Sequence, residues 1–174
     1  LMMAAAAKVV RCPFHRQLGT GNVCRGGWPT VMLHGFVSYA HEDARLCRQF
    51  LKHLIGMQDR GQVEWWSDAR LNGGDLVEDD IKGAIDRSSV FLYLVSSDFN
   101  GSEFIRGKEF PWIQQRIANL AAEGKTFSTI PVFLRPCEPL IGIDDRDAVP
   151  KKNGRRLAIT KHVPRDDGFL QALL

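Results

Sequence analysis

The sequence predicts an α/β fold: a flavodoxin-like, doubly wound parallel sheet with helices on both faces. Three observations carry this expectation. Strand-like and helix-like segments alternate from Gly35 onward, the order that builds a parallel sheet. The first two helical segments each carry one apolar stripe. Val90–Val95 is apolar without alternation, as a strand covered on both faces reads.

The elements follow in order. Phe36–Tyr39 is a short run of strand formers. Leu46, Cys47, Phe50, Leu51, Leu54 and Ile55 then recur at helical spacing, with Arg45, Arg48, Gln49 and Lys52 on the other side. Asp43 is placed to cap this helix and Gly56 to end it. Val63–Trp66 is the second strand, followed by a polar turn, Ser67–Asp75, containing Gly73-Gly74. A second helix is expected from about Leu76 to Arg87, with Val77, Ile81, Ala84 and Ile85 on its stripe and Glu78, Asp79 and Asp80 near its positive end. After the third strand, Val90–Val95, a loop from Ser96 to Ser102 leads into a helix ending near Gly124. Thr129–Leu134 is the fourth strand, with Pro131 near its start or at an irregular point. In such sheets ligands bind beyond the carboxyl ends of the strands, here Tyr39–His41, Ser67–Asp75 and Ser96–Ser102.

Composition bounds the rest. With 174 residues, 44% hydrophobic and 25% charged, the chain has the makeup of one globular domain. The net charge of +3 belongs to the N-terminal stretch: four of the 23 basic residues precede Glu42 and none of the 20 acidic ones does, leaving 19 against 20. This argues against nucleic-acid binding, which needs a concentrated positive footprint. The longest apolar run, Val90–Val95, is too short to span a bilayer, so no membrane partner is expected. Cys12, His15 and Cys24 supply only three candidate zinc ligands; unpaired thiols of a reducing cytosol are the preferred reading, with no metal. Residues 1–34 read as a poorly structured extension, of transit-peptide composition or an upstream-start artefact, and residues 35–174 as the domain, possibly cut from a longer chain.

Phe36-Val-Ser-Tyr-Ala-His-Glu-Asp43, Trp66-Ser-Asp-Ala-Arg-Leu-Asn-Gly-Gly-Asp75, Phe91–Phe99, Ser102-Glu-Phe-Ile-Arg-Gly-Lys-Glu109, Ile130-Pro-Val-Phe-Leu-Arg-Pro-Cys137 and Ala148–Gly154 together resemble, in order and spacing, a bacterial-type Toll/interleukin-1 receptor (TIR) domain. The resemblance covers Gly35 to about Leu174. It implies one of two functions: an interaction module of signalling complexes, or an NAD+-cleaving enzyme, with the enzyme preferred. A phosphoacceptor receiver domain on a similar fold fits poorly, because Ser96-Ser97 stand before Asp98 and the late-strand lysine is missing.

In the enzyme branch, the resemblance implies Glu109 as the catalytic carboxylate. It further implies substrate contacts at Ser38, Tyr39, Ala40 and His41 after the first strand, Asn72 and Leu76 at the BB loop, and Ile105 four residues before Glu109. NAD+ is then the substrate and no cofactor is needed. A single carboxylate suffices physically: nicotinamide leaves a pyridinium as a neutral molecule and needs no proton, unlike the leaving group of an ordinary glycoside. The work left is to stabilise the cationic ribose, which a carboxylate does best where water is excluded. Pro111 disfavours helical geometry at the residue before it, so a kink or a fresh helix start is expected beside Glu109. The resemblance implies assembly through the BB loop, Ser67–Asp75, with a sensor domain or partner protein, in cytoplasmic anti-phage defence. Asp68 is expected to cap that loop, and one of Trp65 and Trp66 to be exposed to a neighbouring protomer.

Overall fold

The computed structural model describes residues 32–67, 78–140, 142–144 and 148–173. Four strands, β1 (Leu33–Tyr39), β2 (Val63–Trp66), β3 (Val90–Val95) and β4 (Ser128–Phe133), form one parallel sheet in the order β2-β1-β3-β4. A parallel bridge from Val132 to Val149 extends it by one position. This is the flavodoxin-like fold the sequence predicts. β1 begins at Leu33, paired to Val63, so the strand starts two residues before the boundary expected at Gly35.

Period-two alternation splits the sheet's side chains between two cores. Phe36, Phe91, Tyr93, Val95 and Phe133 point to one face, where α2 (Glu78–Arg87) adds Ile81, Ala84 and Ile85 and α4 (Phe110–Ala122) adds Ile113 and Leu120. Val37, Leu92, Leu94, Val132 and Trp65 point to the other, under α1 (Ala44–Asp59) and α5 (Arg165–Gln171). Gly35 is fixed by this packing: a Cβ there would meet the Trp65 ring at 2.3 Å.

Helix ends differ from the sequence expectation in instructive ways. α1 runs through Gly56 and closes at Gly61, whose φ of 65° lets Gly61 N–H reach Gln58 and Gln62 N–H reach Met57. This is the glycine-terminated Schellman geometry; the apolar stripe stops before the helix does. Asp43 sits at the cap position but its side chain makes no capping bond. The expected loop 96–102 holds a short helix, α3 (Ser97–Gly101), whose first turn is capped by Ser96 Oγ accepting from Phe99 N–H at 3.0 Å. Pro131 sits inside β4 and not at its start. Its carbonyl accepts from Val149 N–H; backbone N–H and C=O of one residue point the same way in a parallel strand, so the missing donor falls on the outer side and β3's ladder is intact. Trp66 is half-buried and stacks on Phe36 at 5.1 Å, while Trp65 is buried. Most of the indole surface expected to meet a partner is therefore taken up within the chain.

Candidate functional site

The helix that carries Glu109 begins with a π turn, Ile105–Glu109, in which Phe110 N–H bonds the Ile105 carbonyl. Pro111 explains the wider turn: it has no N–H for the bond four residues back, and its ring would strike that carbonyl. A π turn absorbs both problems without breaking the helix, and such turns recur at functional sites. Glu109 and Phe110 both keep right-handed helical φ and ψ. The expected kink or restart is thus a local widening. Because Glu109 lies four residues before buried Ile113, it shares that helix face and points at the sheet.

Glu109 is 7% exposed, and Ser38 Oγ, itself buried, donates to its Oε1. Across the sheet Ser38 is paired with Tyr93, whose phenol is buried and has no hydrogen-bond partner among the described residues. Burial, and then the negative charge of Glu109, push the Tyr93 pKa above its ordinary value, which keeps it a neutral O–H. The chain leaves β1 for β2 on one side and enters β3 on the other, so Ser38 and Tyr93 flank the point where the strand order reverses. Ligands of open α/β sheets bind outside the carboxyl ends of the strands at that point.

A second polar cluster crosses the strand ends beside it. Asp43, 2% exposed, accepts from Ser96 Oγ and pairs with Arg135 at 2.8 Å; Arg135 also pairs with Asp98. These bonds explain why Asp43 does not cap α1: its carboxylate is committed to β3 and β4. The bond to Asp98 pushes the Arg135 pKa up, against the cost of burial. Arg135 thus supplies the positive charge that the two aspartates need, and ties three strand ends together.

The residues expected at the site separate clearly. Ser38 touches Glu109, Ala40 is buried in the same core, and Ile105 is buried one turn before Glu109. Tyr39 packs in the opposite core, under α1, and His41 is exposed in the single turn His41–Asp43. Asn72, Leu76, Asp68 and all of the BB loop but Ser67 lie outside the described residues, as do Cys12, His15 and Cys24. Sequence reasoning missed Tyr93 and Arg135. A tyrosine inside an otherwise hydrocarbon buried strand was the available signal for the first; nothing local pointed to the second.

The sequence model of the TIR domain matches residues 36–165. The uncharacterized protein y4lF of Sinorhizobium fredii (strain NBRC 101917 / NGR234) is 31% identical over 137 residues, 78% of this chain and 40% of that protein. The chain therefore spans about two fifths of that relative's length. The crystal structure of the TIR domain of the Toll-related receptor TRR-2 from Hydra magnipapillata is 18% identical, with a TM-score of 0.39, covering 62% of this chain and 74% of that one. With three quarters of its length within the family match and the fold and strand order described above, the chain belongs to the TIR domain family.

Proposed function

We propose that this TIR domain is an NAD+ glycohydrolase that cleaves the nicotinamide–ribose bond, releasing nicotinamide and ADP-ribose or a cyclised form. The observation that supports it is the nearly buried carboxylate of Glu109, held by Ser38 at the switch point of the sheet. Taking a carboxylate out of water costs several kcal/mol even after relaxation, a cost that a purely structural helix position has no need to bear. In the proposed reaction the pyridinium leaves as neutral nicotinamide with the bonding electron pair. The ribose becomes cationic at its anomeric carbon, and Glu109 stabilises that charge from the side. Ser38 holds one carboxylate oxygen, so the group is oriented before substrate arrives and reorganises little during the reaction. Ile105 lies one turn before Glu109, where an aliphatic wall can pack against the departing ring. Water, or a nucleophile of the substrate itself, then captures the cation.

The finer parts of the reading belong to the same proposal: assembly of several copies through the BB loop, dependence on a sensor domain or partner, and a cytoplasmic role in bacterial defence. The test is direct. Concentrated or artificially clustered protein is incubated with NAD+ and free nicotinamide is measured; release that grows faster than linearly with protein and disappears in Glu109→Gln is the expected result.

A second reading, a non-catalytic platform for other TIR domains, is favoured by the same burial seen differently: a carboxylate 7% exposed with a hydroxyl donor can be a satisfied core group. No nicotinamide from the clustered parent protein would select it.

A further inference from the structure

Tyr93 carries a hydroxyl that the fold does not use. The residue is 2% exposed, and its phenol oxygen has no hydrogen-bond partner among the described residues. Burying a polar group without a partner costs free energy. Phenylalanine would fill the same space: the other side chains of β3 are hydrocarbon, and the ring packs against Phe99 and Phe110 at centroid distances of 6.4 and 5.9 Å. The ring serves the core and the oxygen does not.

Its placement is specific. Tyr93 is the cross-strand partner of Ser38, and Ser38 donates to Glu109. On the other side Tyr93 pairs with Pro131, which offers no polar side chain. Strand side chains stand roughly perpendicular to the sheet, so two hydroxyls rise from adjacent strands on the face that Glu109 meets. Phe110, against the Tyr93 ring, follows Glu109 directly in the chain. Burial, and then the charge of Glu109, raise the Tyr93 pKa. The phenol therefore stays a neutral O–H, able to donate one hydrogen bond and to accept others.

A sugar hydroxyl suits both groups at once. It has one proton to give and lone pairs that receive. Glu109 takes the proton: a carboxylate offers about four lone-pair positions, so a further donor joins those it already holds. Tyr93 takes the oxygen. With its oxygen bonded to the phenol, the hydroxyl keeps its proton turned to the carboxylate, and hydrogen bonds linked in a chain strengthen one another. In the cleavage of sugar bonds, the contact to the hydroxyl beside the reacting carbon is one that strengthens toward the transition state.

We infer that Tyr93 determines sugar specificity in the proposed reaction: its phenol donates to the ribose hydroxyl next to the reacting carbon, and that hydroxyl donates to Glu109. This rests on the proposed role of Glu109. The phenol, without a partner among the described residues, finds its acceptor in the substrate. A sugar lacking that hydroxyl leaves the donor orphaned and is rejected. The stability that the phenol oxygen costs the fold is then given up for recognition, as at other functional sites.

Steady-state cleavage of NAD+, and of its analogue lacking that hydroxyl on the nicotinamide ribose, by clustered parent and Tyr93→Phe tests this. Tyr93→Phe is expected to raise the KM for NAD+ about tenfold, the scale of one hydrogen bond, with kcat within about twofold. Its preference for NAD+ over the analogue falls by the same factor, a ratio in which the intrinsic reactivities of the two substrates cancel. A merely structural role would alter both substrates alike. Calorimetric titration of ADP-ribose, which keeps the hydroxyl, reads the contact without turnover, and the variant is expected to bind about tenfold more weakly. A parent that cleaves NAD+ while Tyr93→Phe leaves KM and preference unchanged, or changes both substrates alike, overturns the role of Tyr93 and leaves Glu109 standing. A parent that releases no nicotinamide yet binds ADP-ribose about tenfold more tightly than the variant overturns the catalytic role of Glu109 and leaves the Tyr93 contact. With no turnover, equal binding of ADP-ribose by both proteins, or binding by neither, overturns both.

Discussion

The two faces of the sheet are built from the same strands and differ in what they bury. Under α1 and α5 the core is mostly hydrocarbon: Val37, Leu92, Leu94, Val132, Phe50, Leu54 and Phe169, with the buried thiol of Cys47 and the rings of Tyr39 and Trp65. Under α2 and α4 an equally tight core of Phe36, Phe91, Ile113 and Leu120 encloses the Ser38 hydroxyl, the Tyr93 phenol and the Glu109 carboxylate. Burying polar groups costs free energy unless each finds a partner, so a chain selected for stability alone has no reason to place three of them together. The difference sets one face apart as the half that holds the fold and the other as the half on which the proposed chemistry rests.

The largest effect expected is on the hydrocarbon face. Phe50→Ala leaves a cavity among fully buried side chains and should cost about 3–5 kcal/mol, read as a lower denaturant midpoint with an unchanged slope. Glu109→Gln keeps the shape and the acceptor for Ser38, so nicotinamide release should fall about 10²–10³-fold, the scale of one lost electrostatic stabiliser, with little change in the melting curve. If Glu109→Gln instead unfolded the protein as Phe50→Ala does, the division between the faces would fail. Ser38→Ala removes a donor to a charged, buried group and should cost about 1.5–3 kcal/mol, visible both in stability and in turnover.

Tyr93→Phe is the smallest and sharpest change. At neutral pH it should raise stability by about 1 kcal/mol, because the phenol removed is buried and has no hydrogen-bond partner among the described residues. At alkaline pH the variant should gain on the parent. The Tyr93 pKa is raised in the folded state, so its contribution is fully present below the ordinary value of 10.0 and is lost as pH rises through the folded pKa. The parent should therefore lose stability above about pH 10 more steeply than Tyr93→Phe; parallel alkaline limbs would show that the phenol is not shielded as described.

Much of the architecture was legible residue by residue. Val63–Trp66 and Val90–Val95 begin and end where the sequence predicts, the stripe of α1 names its buried Cys47, Phe50 and Leu54 but also Ile55, which is exposed, and that of α2 names buried Ile81, Ala84 and Ile85. Helix ends were harder. Gly56 resembled a stop, but a glycine ends a helix only where the backbone turns left-handed, and that happens at Gly61. At the site, the TIR-like motifs pointed to Glu109 and Ser38 together, whereas Tyr39 next to Ser38 faces the other core because successive strand residues alternate. Arg135 was invisible because what it does depends on Asp43 and Asp98, which lie far away in the chain.

The sequence by itself determined what depends on neighbours along the chain: which segments are strands and helices, which side of each is apolar, and that the strands run parallel. Those follow from periodicity and from the short connections it permits. Only the tertiary structure decided what depends on register between strands and on the phase of a helix. The bond joining Ser38 to Glu109 spans 71 residues, and the π turn before Pro111 sets the direction in which the carboxylate points. A shift of one residue in either would turn the same side chain toward the opposite face or to solvent, and no local pattern records such a choice.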